Sequence, residues 1–314
     1  MRKILIDTDP GIDDAMAIHL AFAHPELEVV GLTTVFGNVH VDKATRNALA
    51  LVEMAAAGCP VAEGAAEPLE QPLNPPAYFV HGPEGFGDLP AMAPVIEPDR
   101  RNAAQFIVDT INAHPGEIAL CPVGPLTNIA MALRLDPGIV DKVYRVVIMG
   151  GAVATDGNVT PWAEANIWND PHAAAEVFAA NWPMMLVGLD VTEQTQCSPA
   201  DFAFLATQAP IIGGFLNKAV PFYFNWHRQK EVLDGCFLHD PSAIMAVVDA
   251  GLFSCEQVPI RVVTEGHEIG RTVPDPECGN RPVAVCQGVH AARLKTLFLA
   301  LLGAADACRA QRLR

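Results

Sequence analysis

Basic residues are scarce in this chain: 20 lysines and arginines stand against 36 acids, a formal charge of −16 over 314 residues. A protein that tracks a phosphate backbone needs a basic surface, so nucleic-acid binding is excluded as the main activity. Long apolar runs are missing too. A membrane span needs roughly 18 consecutive apolar residues, and the run at 297–305 is about half that. After Arg2 and Lys3 only Ile4, Leu5 and Ile6 precede Asp7, which is too short for a secretory leader. The eight cysteines include no Cys-x-x-Cys pair and no histidine at zinc-like spacing, so no zinc ribbon or disulfide framework is expected. Such cysteine usage fits a reducing, cytoplasmic location, with Cys121 and Cys286 as core residues inside apolar runs. No low-complexity tract and no internal repeat is present.

What is present is acid, concentrated at one place. Asp7, Asp9, Asp13 and Asp14 crowd into eight residues of the opening MRKILIDTDPGIDDAMA. Residues 3–6 read as a short buried strand and Pro10-Gly11 as a turn. Ile12, Ala15, Met16 and Leu20 then follow at helical spacing. Side-chain alternation would send Asp7 and Asp9 the same way. Each acid alone has an ordinary use, as turn former or helix cap. Four together raise one another's pKa unless a cation is near, and Arg2 and Lys3 lie at the wrong end of the strand. A hard ion such as calcium, magnesium or manganese suits such oxygens. The Asp spacing, the missing glycine at the sixth position and the absent closing Glu exclude an EF-hand.

Strand and helix patterns alternate along the rest of the chain. Strands are expected at 27–34, 117–123, 142–149 and 184–189, and helices at 42–57, 101–113, 126–135 and 171–180. This rhythm predicts a single α/β domain over 1–314 with a mainly parallel central sheet flanked by helices, Rossmann-like, its site at the C-terminal ends of the strands. The proline- and glycine-rich stretch 64–98 breaks the rhythm. A loop this long is usually functional or disordered, and Phe79, His81 and Phe86 make it a candidate lid. Residues 198–230 read as helical, divided at Pro210, with aromatics at Phe215, Phe222, Tyr223, Phe224 and Trp226 for core or subunit packing or for a planar ligand. Late strands are expected at 258–264, 268–272 and 282–286, and helices at 242–249 and 290–304.

Further polar groups fall at strand ends and helix starts. Asn38 follows the second strand. Asn158, Glu164 and Asn166 share one loop, where two amides and an acid suit hydroxyl recognition. His239 and Asp240 precede a helix, with Asp240 a candidate N-cap. Val123 presents its carbonyl at the end of another strand, before Gly124-Pro125.

These residues together resemble the inosine-uridine-preferring nucleoside hydrolase family. The resemblance rests on Asp7-Thr8-Asp9-Pro10-Gly11-Ile12-Asp13-Asp14-Ala15, a highly specific signature. It continues through Thr33-Thr34-Val35-Phe36-Gly37-Asn38, Gly124-Pro125-Leu126-Thr127-Asn128-Ile129-Ala130, Met149-Gly150-Gly151, Glu164-Ala165-Asn166 and His239-Asp240-Pro241, in the family's order. It implies hydrolysis of the ribonucleoside N-glycosidic bond to ribose and free base with bound calcium. Asp9, Asp14, Asp240 and the Val123 carbonyl would be the calcium ligands, and Asp9 also the general base for calcium-bound water. Asp13, Asn38, Asn158, Glu164 and Asn166 would hold the ribose. His239, a histidine near neutral pKa, would protonate the departing base, while His81 and Phe79 are base or lid candidates. Asp7 would order the other acids from behind. An oxocarbenium-like transition state flanked by negative groups, with inversion at the anomeric carbon, follows from this arrangement. The family further implies a homodimer or homotetramer.

The chain departs from the family pattern at Val123, where a relative has a hydroxyl residue; a carbonyl ligand survives that change. It departs also at 81–82, with one histidine where some relatives carry two and Phe79 at the other position. The stretch 223–236 does not identify base contacts. Two other readings compete. A phosphohydrolase of the haloacid dehalogenase type also opens on Asp-x-Asp after a first strand, but the Asp13-Asp14 pair comes too early for it and the ribose-type loop is left without a role. A nucleoside-binding homologue with slow turnover would keep the same acids.

Overall fold

The computed structural model describes residues 1–230 and 232–314; position 231, within the stretch 223–236, lies outside them. Ile4, Leu5 and Ile6 are completely buried in strand β1 (Arg2–Thr8), because helices cover both faces of the sheet that holds it. The other strands are β2 (Leu27–Thr34), β3 (Val61–Glu63), β4 (Ile118–Pro122), β5 (Arg145–Met149), β6 (Met184–Val187), β7 (Gln196–Cys197), β8 (Cys236–Phe237), β9 (Phe253–Val258), β10 (Ile260–Val262), β11 (Thr272–Pro274) and β12 (Val283–Val289). Eight of them form one sheet in the order β3-β2-β1-β4-β5-β6-β12-β9. Its ladders are parallel except for the last, where β9 runs against β12.

The chain starts at β1, winds outward to β3, then returns to the other side of β1 through β4. Order reverses between β1 and β4. In open α/β sheets the crevice outside the strand C-termini at such a reversal is where ligands bind. Asp9 follows β1, Asn38 follows β2, Val123 follows β4 and Gly150 follows β5, so the expected groups share that edge.

The helix Ile12–Ala23 is buried all round, lying in the core between the sheet and the helices Ile212–Lys230 and His239–Val248. On the opposite face the helices Ala103–Ala113, Thr127–Leu135 and Pro171–Ala179 cover β1, β4, β5 and β6, with Trp182 fully buried and its Nε1 donating to the Val177 carbonyl at 3.1 Å.

Several sequence expectations need correction. The helix expected at 242–249 begins three residues earlier, at His239, so Asp240 is not an N-cap. Pro241 causes no break there, since a first-turn residue has no intrahelical N–H bond to lose. The late strands differ also: 253–258 and 260–262 replace 258–264, and Glu268 lies in a turn before β11. β3 and the helix Ala305–Arg312 went unforeseen, the first being too short for a pattern and the second too polar. Phe86 is no lid residue. It is buried, edge-on to Phe215 at 5.2 Å between ring centres.

Candidate active site

Asp14 is the most tightly bound of the clustered acids. It stands in the first turn of the helix Ile12–Ala23, where the macrodipole favours a carboxylate. Its Oδ2 accepts from the Gly11 N–H (2.9 Å) and Asn38 Nδ2 (3.0 Å), and its Oδ1 from Thr8 Oγ1 (2.5 Å) and the Asp9 N–H (3.3 Å). Asp9, just past β1, differs: Oδ2 accepts the Asn38 N–H at 2.7 Å, while buried Oδ1 has no partner. Two glycines leave it room. A Cβ on Gly37 would lie 2.0 Å from Oδ2 and one on Gly124 2.7 Å from Oδ1, closer than such atoms approach. Asp13 accepts from the Tyr223 hydroxyl at 3.2 Å through Oδ2, and its buried Oδ1 also lacks a hydrogen bond.

Oxygens of Asp13, Asp14 and Asp240 lie within 4.8 Å of one another. This departs from the expected ligand set, because Asp13 stands in the group and Asp9 beside it. Asp9 is still electrostatically part of the cluster: Asp14 and Asp13 press on it, and its own charge acts on Asp240. Burial first, then mutual repulsion, pushes Asp9 and Asp240 well above the carboxylate range. Burial is likewise the largest cause that lifts Asp13 and Asp14 to about 6. Among the described residues no lysine or arginine pairs with these four. The near neighbour is His81, whose Nδ1 is 3.8 Å from Asp13 Oδ1. Buried acids without a counter-charge, two of them with an unpartnered oxygen, fit a hard divalent cation.

The expected hydroxyl-binding groups line the same cavity, of about 310 Å³. Glu164 caps the helix Ala165–Asn169, its Oε1 accepting from the Asn166 N–H (2.9 Å) and its Oε2 from the N–H groups of Gly151 (2.8 Å) and Ile167 (3.2 Å). Asn166 Nδ2 donates to the carbonyls of Val123 (2.9 Å) and Met149 (3.2 Å), locking the ends of β4 and β5 together. Asn158 Oδ1 takes the Ala165 N–H at 3.0 Å. Asp7 stands apart from all of these: its Oδ1 accepts from Thr33 Oγ1 (2.6 Å) and Asn128 Nδ2 (2.8 Å), and burial raises it to about 7. It joins β1, β2 and the helix Thr127–Leu135, and bonds none of the clustered acids.

The rest of the lining is aromatic and imidazole, and part of it adjoins the acids. The Ile12 N–H donates to His81 Nδ1 at 3.2 Å, so the ring proton sits on Nε2. His81 packs on Tyr223 (centroids 5.5 Å apart), and Tyr223 in turn on His227 (4.3 Å). His239 Nδ1 lies 2.7 Å from Thr192 Oγ1. Burial drives all three histidines below their ordinary value, His239 to about 3 and His81 and His227 to about 4. This corrects the expectation of a near-neutral pKa: His239 is uncharged at pH 7. Phe79, 70% exposed, and Trp226 frame the mouth, and Lys230 lines it. His227 and Thr192 were not singled out from the sequence, and Tyr223 was named only among aromatics for packing or a planar ligand, not as a partner of Asp13. Tyr223 and His227 are spaced i, i+4, and that spacing could have placed both on one helix face.

The family model described as inosine-uridine preferring nucleoside hydrolase matches residues 4–296. Uridine nucleosidase 1 of Arabidopsis thaliana is 43% identical over 275 residues, which cover 87% of this chain and 82% of the relative. The inosine-uridine preferring nucleoside hydrolase of Leishmania major is 40% identical, covering 87% and 88%. Among solved structures, a plant nucleoside hydrolase superposes with a TM-score of 0.93 at 38% identity, over 96% of this chain and 99% of that one. A purine-preferring ribonucleoside hydrolase from Gardnerella vaginalis gives the same TM-score at 32% identity, over 98% and 100%.

Proposed function

This chain belongs to the inosine-uridine preferring nucleoside hydrolase family and is a hydrolase of N-glycosyl bonds; on that premise we propose that it cleaves ribonucleosides to ribose and free base, with uridine and inosine among its substrates. The observation that carries the reading is one cavity lined by Asp13, Asp240, Asn38, Asn158, Glu164 and Asn166 and also by Phe79, His81, Trp226 and His239, with the unpartnered buried Asp13 Oδ1 among its acids. A sugar diol belongs at the first surface and a planar base at the second.

The family is metal-dependent, and the residues here suit calcium, held by Asp9, Asp14, Asp240 and the Val123 carbonyl, with Asp13 close enough to join. Such an ion, when bound, supplies a Lewis acid for the ribose hydroxyls and water. Asp9 Oδ1 is the proton acceptor for the attacking water. Asn38, Asn158, Glu164 and Asn166, fixed by the backbone bonds above, hold the ribose with Asp13. The acids flanking the sugar stabilise the positive charge that develops as the glycosidic bond stretches. His239 meets the departing base as a neutral imidazole, its Nδ1 2.7 Å from Thr192 Oγ1, so its contribution is a hydrogen bond to the leaving base, with the proton itself coming from solvent. Attack by water without a covalent intermediate inverts the anomeric carbon.

The segment 64–98 carries Phe79 and His81 to the cavity and is the proposed lid. Free cysteines throughout the described residues support a reducing compartment, and the cytoplasm is the proposed location; among those residues no helix is long and apolar enough to cross a membrane. A homodimer or homotetramer is the proposed assembly. The phosphohydrolase reading is set aside, since the nucleoside hydrolase match spans residues 4–296 and Asp13 and Asp14 stand in the first helix, too early for that fold's acidic pair. The test is ribose release from uridine, inosine, cytidine and adenosine, with 2′-deoxyuridine alongside. Release from the ribosides and little from the deoxy compound is expected; no release from any of them by folded, calcium-loaded protein would overturn the reading and leave nucleoside binding without turnover.

A further inference from the structure

At the far edge of the sheet, outside the active cavity, Cys255 of β9 stands directly opposite Cys286 of β12. Directly opposed residues of an antiparallel pair point to the same face. Their Cα atoms sit about 4.5–5.5 Å apart, inside the span of about 4.4–6.8 Å that a cystine requires. Here the two Sγ atoms are already 3.3 Å apart, and both thiols are free. Cys255 is exposed and Cys286 fully buried behind it. The other opposed pair, Cys197 and Cys236 on β7 and β8, is buried on both sides and closed to any reagent.

Cys255 also opens into a groove of about 390 Å³ whose lining includes Arg145, Arg281, Met184, Phe253 and Gln257. Neither arginine has a carboxylate partner among the described residues; Arg145 lies by the Tyr144 ring and Arg281 reaches only the Asn181 carbonyl. Two uncommitted guanidinium groups beside an exposed thiol and its buried neighbour suit a ligand that brings both carboxylates and sulfur. We propose that Cys255 and Cys286 form a thiol–disulfide exchange site for a small anionic disulfide of the glutathione type, with Cys255 attacking and Cys286 resolving.

The division of roles follows from exposure: Cys255 is exposed and lines the groove with Arg145, whereas Cys286 is fully buried behind it. In line with that, the thiol–thiol contact and Arg145 hold Cys255 below its ordinary value against the effect of burial, while the same contact and burial push Cys286 up. The thiolate is the nucleophile. The Cys255 thiolate forms a bond to one sulfur of the disulfide, whose S–S bond breaks and releases one glutathione thiolate. Cys286 then attacks Cys255 Sγ, expelling the second glutathione and giving up its proton to it. The two protein thiols lose two electrons and the disulfide gains them.

The test exposes the full-length protein to oxidised glutathione, quenches with an alkylating agent at intervals, and maps the cysteines by mass spectrometry. Expected are a transient glutathione adduct on Cys255 and then a Cys255–Cys286 cross-link. In Cys286→Ala the adduct should persist, and in Cys255→Ser neither species should form. Arg145→Gln and Arg281→Gln should slow the first step several-fold with oxidised glutathione and leave it unchanged with the neutral disulfide of mercaptoethanol. Nucleoside hydrolysis by Cys255→Ser, at the wild-type rate, confirms folding. The proposal is overturned if Cys255 reacts no faster than Cys59, Cys278 or Cys308, if its adduct stays unresolved in the wild type, or if the arginine changes slow both disulfides equally.

Discussion

Asp9 keeps one oxygen on the Asn38 amide and the other without a partner, and that asymmetry separates a positioned base from a structural acid. Asp9→Asn keeps the size and the hydrogen bond to Asn38, so the fold should survive while kcat falls by about 10²–10⁴-fold, the ordinary worth of a general base; steady-state ribose release with a circular-dichroism control checks it. Tyr223→Phe removes the one hydroxyl on Asp13, and kcat/KM should fall by about tenfold, or 1.4 kcal/mol, as for a hydrogen bond to a charged group. His239→Ala should slow uridine hydrolysis far more than that of a riboside with a good phenolate leaving group, which needs no hydrogen bond to depart. Most of these residues were legible in the sequence, because acids and amides at strand ends have few other reasons to cluster. Thr192 was not, and Tyr223 was named only for packing or a planar ligand, since their roles depend on which partner the fold brings near. Burial likewise set the charge state of His239, which no local pattern reports.

Elements hold those residues in place through short loops that tolerate little extra volume. Gly124→Ala would set a Cβ 2.7 Å from Asp9 Oδ1, so activity and calcium affinity should both drop while the thermal midpoint changes little; calcium titration of the stripped variant measures it. Asp170 is a purely structural counterpart. It caps the helix Pro171–Ala179 through the Ala173 N–H and accepts from Thr127 Oγ1 and the Leu69 N–H, fully buried. Asp170→Ala strands these donors and should cost about 2–4 kcal/mol in chemical denaturation. Strands with continuous apolar runs were readable as elements, 27–34 to the residue. β3 and the helix start at His239 were not: the first has three residues, and a proline inside the first turn reads as a break when only the chain is in view.

For the whole molecule, the alternating pattern specified a parallel sheet, but the order β3-β2-β1-β4-β5-β6 and the antiparallel edge depend on pairings distant in sequence. That order puts the acidic site at the reversal, and the buried acids there tie stability to pH. Burial, the largest cause in each case, raises Asp7 to about 7 and Asp13 and Asp14 to about 6, from 3.8. Folded, metal-free protein therefore binds more protons than the unfolded chain in that window. Its stability is full below 3.8 and falls as pH rises toward 7. The thermal midpoint of stripped protein should drop between pH 5 and pH 8, as set by those shifts, and calcium should raise it more at the higher pH. The most direct measurement of the central claim is ribose release from uridine by chelator-stripped enzyme as calcium is returned. Turnover absent at the start and restored in step with one ion bound per chain is the predicted result. Full turnover by the stripped protein would contradict it.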